Sequence, residues 1–213
     1  MADRDLNPQP DAGPPDADPA TRRLPAPARV ALFALLLALA AFYAGSFLYL
    51  RAESEDFILA ERGRIAGTRP IPTGVWMEPG IDAAGRVTGW SASEPNGVWT
   101  LGRRAVWAGR PAPTPTGDLV LTVRAVPFLH ATALPARAVT VLANGRTLAR
   151  WDFALPAEVV ERRATIPADL VADGGPLTLE LRFDGTLSPA RADGGQDRRE
   201  LGLFVLGWSL QPG

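Results

Sequence analysis

The chain of 213 residues has no cysteine, no lysine and a single histidine. Without thiols there is no disulfide, no thiolate metal site and no cysteine nucleophile. Without lysine there is no Schiff-base amine and no phosphate-binding P-loop lysine. The one histidine, His130, sits in PFLHATALP, so a metal site would have to be built from carboxylates. A Ser-His-Asp triad would have to recruit Ser91, Ser93 or Ser188, and no G-x-S-x-G elbow presents any of them. Glu94 with Asp184 or Asp197 offers a carboxylate pair for glycoside hydrolysis, but sequence gives no distance between them. The expectation is a protein that is not an enzyme and has no cofactor. Net charge is missing too: 22 basic and 23 acidic side chains leave −1, without the basic excess of a nucleic-acid-binding protein.

Long hydrophobic runs are absent with one exception. Residues 30–50, VALFALLLALAAFYAGSFLYL, are 21 residues without a charge. At about 1.5 Å per residue they form a helix matching a hydrocarbon core of about 30 Å. Arg29 and Arg51 close the two ends, and Tyr43, Phe47 and Tyr49 crowd the second half, where amphipathic rings settle among headgroups. Ala38-Leu39-Ala40 has the small-x-small form of a signal-peptidase site. Cleavage there would leave only residues 30–37 as the apolar stretch before it, so the length favours an uncleaved single-pass anchor. Arg22, Arg23 and Arg29 precede the run while Arg51, Arg62, Arg64 and Arg69 follow it, so basic residues alone do not orient it. The later arginines alternate with Glu53, Glu55, Asp56 and Glu61, and a terminal anchor before a β-rich domain is the common plan of envelope proteins. With arginine used to the exclusion of lysine, as in GC-rich bacterial genomes, the reading tilts toward a bacterial inner-membrane protein with its C-terminal domain in the periplasm.

Around the span the composition changes sharply. Residues 1–29 are rich in proline and aspartate, with too little apolar bulk to offset the entropy of ordering, and read as a disordered tail. Residues 51–69 read as a polar stalk in which Phe57, Ile58 and Leu59 could continue the helix for a turn or two. From residue 70 to 213 prolines and glycines punctuate short alternating runs, and no amphipathic run is longer than residues 156–160 or 168–172.

The alternation is clearest in two places. Leu119, Leu121, Val123 and Ala125 point one way against Thr122 and Arg124; Leu177, Leu179, Leu181 and Phe183 do so against Thr178, Glu180 and Arg182. Asn144-Gly145 joins two further runs by the dipeptide best suited to a type I′ turn. With GVWME, GRVTGWS, GVWTLG, RAVWAG, ERRATIP and LGLFVLGWSLQ this makes nine or ten strands. The predicted fold is all-β: an antiparallel, jelly-roll-like β-sandwich behind one N-terminal transmembrane helix.

Two segments carry more than fold: GWSASEPNGVWTLG at residues 89–102, and Ser188-Pro189 followed by DRRELGL at residues 197–203. Together they resemble a pattern of β-sandwich domains attached to bacterial glycosyltransferases and other cell-surface polysaccharide proteins, in which G-W-S, an acidic residue, G-V-W and D-x-R-x-L-G-L recur. The resemblance covers residues 74–210 and implies glycan handling at the envelope, with Trp90, Ser93, Glu94 and Trp99 as the site. Asn96 stands where such domains often place another aromatic.

Sugar binding needs an apolar ring beneath the C–H face of a pyranose, with carboxylates and amides for its hydroxyls. Trp76, Trp90, Trp99 and Trp107 with Glu94, Asn96, Asp184 and Asp197 supply those groups; the competing reading places the tryptophans in the core. Asp197 or Arg198 is expected to anchor the loop before the last strand, with the charges there pairing among themselves or meeting an anionic glycan or a partner, and Ser188-Pro189 to begin a turn. The expected partners are the membrane and glycan, a glycosyltransferase or another envelope protein. The alternative is an assembly subunit of an envelope complex that never meets sugar. An aromatic shelf beside Glu94 separates the two.

Overall fold

The computed structural model describes residues 25–78 and 83–213; most of the expected tail lies outside them. The chain divides into two compact units, one up to Arg51 and one from Ala52 to Gly213. The helix α1, Ala26–Ala66, contributes to both. Its segment Ala26–Tyr49 is long and apolar enough to cross a membrane, and its side chains are not buried by protein. Pro27 is tolerated because a first-turn N–H has no helical partner to lose. The stretch expected as a stalk is helical through Ala66, beyond the one or two turns read from the sequence.

The second unit is a β-sandwich. Its first sheet has the order β1 (Pro70–Pro72), β5 (Arg104–Ala112), β10 (Leu177–Phe183), β7 (Ala136–Ala143), β8 (Arg146–Ala154), and β3 (Arg86–Thr88) also pairs with β5. The second has the order β2 (Trp76–Met77), β11 (Leu201–Pro212), β6 (Leu119–Pro127), β9 (Val160–Ile166), and β4 (Val98–Leu101) also pairs with β11. Every connection except β7 to β8 carries the chain from one sheet to the other, as in a jelly roll. Pairing is antiparallel apart from β1, which lies parallel to β5 and has no counterpart in the sequence reading, since two prolines in three residues mask an edge strand.

The alternation read from sequence sets the core. Leu119, Leu121, Val123 and Ala125 of β6 and Leu177, Leu179, Leu181 and Phe183 of β10 all face inward and are buried. Trp107 and Trp208 meet edge to face across the sheets at 4.4 Å, and Trp151 completes the buried tryptophans, its Nε1 donating to Arg163 O. Between β7 and β8, Asn144 and Gly145 both have positive φ, 47° and 82°, the signature of a type I′ turn. The Asn144 amide also donates to Leu170 O and Pro176 O and accepts from Thr178 N.

Two outward positions depart from the simple in-out pattern. Glu180 lies on the side of β10 opposite the core residues, yet it is 6 % exposed, because Arg104 and Arg182 fold over it and bind its carboxylate. Ala66, at the end of α1, is buried with Val87, Val106 and Ala108 in a small apolar cluster outside the first sheet. Of the short helical candidates, residues 156–160 form no helix, 156–159 being irregular and Val160 opening β9, and Ala168–Leu170 is a single 3-10 turn. Ser188-Pro189 opens a one-turn helix, α2 (Pro189–Asp193), with the Ser188 hydroxyl accepting from Arg191 N and Gly194 closing it at φ 71°.

Candidate functional site

The segment from Gly89 to Leu101 doubles back on itself. Leu101 N donates to Gly89 O, Ser91 N to Trp99 O and Glu94 N to Gly97 O, so the pairing narrows to a tight turn over Glu94-Pro95-Asn96-Gly97. The Ser91 hydroxyl accepts from Trp99 N, which adds a side-chain rung. Gly89 sits at φ 76°, and a side chain there would strike Arg104 O. Gly97 is pressed against the Phe204 ring, so neither glycine has room for a Cβ.

This pairing sends the two flanking tryptophans to opposite faces. Trp90 turns inward: its Nε1 donates to Val106 O at 2.8 Å, and its ring closes an apolar cavity of about 30 Å³ shared with Trp107, Val205 and Trp208. Arg86 covers it from outside, its guanidinium 5.9 Å from the ring centre, and donates to Ser93 Oγ at 3.1 Å. A surface cleft of about 350 Å³ lies beside them, lined by Arg86, Thr88, Trp90 and Ser91. Trp99 turns outward onto the second sheet, half-buried, with Phe204 at 4.8 Å and Phe128 edge-on at 6.0 Å.

Glu94 is joined to the second expected segment, through Arg199. The Arg199 guanidinium reaches Glu94 Oε1 at 3.3 Å and grips Asp197 at 2.7 Å, and its backbone N–H also donates to Asp197 Oδ1. The side-chain hydrogen bond from Arg199, aided by that backbone one, holds the Asp197 carboxyl below its ordinary range. Of the expected residues, Trp99, Glu94 and Asp197 therefore share one edge, Ser93 and Trp90 lie around the Arg86 cleft, and Arg198 is exposed. The residue that joins the loops is Arg199, missed in favour of its neighbour. The D-x-R spacing held the signal, because residues two apart in extended chain share a side.

Among the described residues, the groups weighed from sequence for catalysis make other contacts. Asp197 is held ionised by Arg199, the opposite of the raised carboxyl that a glycosidase acid requires. Asp184 is engaged elsewhere, accepting from Ala138 N. His130 accepts from Ala133 N at Nδ1, which places its proton on Nε2 facing Asp193 at 3.0 Å, and Ser91, Ser93 and Ser188 bond other groups. Among the described residues no three histidine or acidic side chains cluster to hold a metal ion.

No family model and no curated protein matches the chain. Among solved structures it is similar to the CBM36-1 domain of a multidomain xylanase from the hindgut metagenome of Trinervitermes trinervoides, at 15 % identity over 60 % of this chain and 90 % of that one, TM-score 0.37. A family 6 carbohydrate-binding module matches at 9 % identity over 68 % of this chain and 98 % of its own, TM-score 0.40. CsCBM6-3 from Clostridium stercorarium, solved in complex with cellobiose, matches at 11 % identity over 68 % and 98 %, TM-score 0.38. These three neighbours are carbohydrate-binding modules.

Proposed function

We propose that this chain is a single-pass, membrane-anchored accessory protein of cell-envelope polysaccharide synthesis, export or modification, whose sandwich binds glycan or holds a glycosyltransferase in place, and carries out no chemistry itself. The observation that carries the reading is the outward Trp99–Phe204 stack beside a turn whose carboxylate, Glu94, is held in place by Arg199. A half-exposed ring next to an oriented carboxylate is the pairing a pyranose needs: apolar contact for its C–H face, an acceptor for its hydroxyls. In this reading α1 is an uncleaved anchor in a bacterial inner membrane and the sandwich faces the periplasm. The Arg86 cleft around Trp90 and Ser93 serves as the flank of the same site.

The test is binding of the full-length protein, in detergent micelles, to surface polysaccharide fractions of its host. Saturable binding to a fraction is the expected result. Binding to none of them would overturn the reading and put the assembly-subunit alternative in its place.

A further inference from the structure

Trp76 is the most exposed of the six tryptophans, at 38 %, and the Glu94 turn does not involve it. On β2 it pairs with Ser209, while its neighbour Met77 pairs with Trp208 and enters the core, so alternation turns Trp76 outward. Its indole lies across Gly207, where an added Cβ would come within 2.5 Å of the ring. The missing side chain is what lets the ring lie on the sheet.

What surrounds that ring follows from the register. Gly207 pairs with Arg124 of β6, and Arg124 with Glu161 of β9. The next row runs Trp76, Ser209, Thr122, Arg163 across β2, β11, β6 and β9, a span of about 14 Å at the usual strand spacing. Arg124 and Arg163 make no side-chain hydrogen bond or ion pair among the described residues, and neither do the hydroxyls of Ser209 and Thr122. Ser209 and Thr122 are themselves buried, so the face presents an indole and two uncommitted guanidinium groups against one carboxylate, on a chain whose net charge is −1. A planar guanidinium matches a carboxylate in two-point geometry.

We propose that the outer face of the second sheet binds an anionic polysaccharide of the uronate class, with Trp76 under a pyranose ring and Arg124 and Arg163 taking carboxylates of the chain. The assignment rests on the glycan-binding reading above and adds to it a ligand charge and a second aromatic platform. The excess of cationic groups favours an acidic glycan over a neutral one, and the indole favours a sugar over an acidic polypeptide.

Titration calorimetry on the full-length protein in detergent micelles tests it with three probes: alginate as a polyuronate, dextran as a neutral glycan and polyglutamate as charge without sugar. Alginate is expected to bind about tenfold or more tighter than dextran and polyglutamate, with Trp76→Ala and Arg124→Gln each weakening alginate by about tenfold. Arg124→Gln should leave dextran unaffected. The inference is overturned if dextran or polyglutamate equals alginate, or if Arg124→Gln changes nothing; dextran binding alone would leave the broader glycan reading standing. Failure of alginate and dextran together, with every host fraction, would remove both. Because Arg124 is exposed and makes no side-chain hydrogen bond or ion pair among the described residues, it decides the matter even where Trp76→Ala loosens the edge strand.

Discussion

Arg199 stands 3.3 Å from Glu94 across a separation of 105 residues, and the same guanidinium is clamped by Asp197. That contact fastens the Glu94 turn to the approach of the last strand, β11. It places a carboxylate beside Trp99 and Phe204 on the outer face of the second sheet. The polar half of the candidate site is thus held by ion pairs at the surface, and the apolar half by strand pairing.

Gly89→Ala should unsettle that arrangement from below. Its φ of 76° is strained for any L side chain, and a Cβ would fall 1.9 Å from Arg104 O. A loss of about 2 to 4 kcal/mol in thermal or denaturant unfolding is expected, since backbone must move to make room. Unchanged stability would contradict the tight pairing described for residues 89–101.

The Glu180 pair of arginines sets an acid limit on stability. Burial pushes the Glu180 carboxyl up, but hydrogen bonds from Arg182 and Arg104 outweigh it and hold it below its ordinary 4.5. A depressed carboxyl contributes stability that is complete above 4.5 and is lost as the pH falls through the lower folded value. Glu180→Gln should therefore cost about 1.5 to 3 kcal/mol at pH 7 and flatten the acid limb of the stability profile. Urea unfolding across pH 2 to 7 reads both effects; an equally steep limb in the variant would refute the assignment.

Much of the sandwich was legible because its signals are local. Alternation in β6 and β10 and the Asn144-Gly145 turn depend only on neighbours in sequence. The site was harder because it depends on register. Trp90 and Trp99 look equivalent on either side of a polar loop, and only the Trp90–Thr100 pairing shows that one enters the core and the other leaves it. Trp76 could not be told from a core tryptophan without knowing that Gly207 lies beneath it. The burial of Glu180 is not visible in its own strand, since the arginine that meets it from β5, Arg104, is 76 residues away.

The anchor is expected to survive in the mature protein, because Ala26–Tyr49 lies within an unbroken helix of 41 residues that outlasts a typical signal sequence. Intact mass of membrane-extracted protein should include it, and a chain beginning near Ala41 would contradict this. A reporter active only after export, fused behind Gly213, should be active, whereas activity of a cytoplasm-only reporter there would reverse the proposed orientation.

The most direct test of the central claim is the affinity of the full-length protein and its Glu94→Ala variant for the same host polysaccharide, with melting curves recorded alongside. Glu94 is 39 % exposed and its bond to Arg199 is a surface one, so truncation should change stability by less than about 1 kcal/mol. Binding should nonetheless weaken by about tenfold, as for the loss of a positioned polar contact. Unchanged affinity, or a variant whose melting transition falls steeply, would contradict the assignment of this turn as the glycan-binding surface.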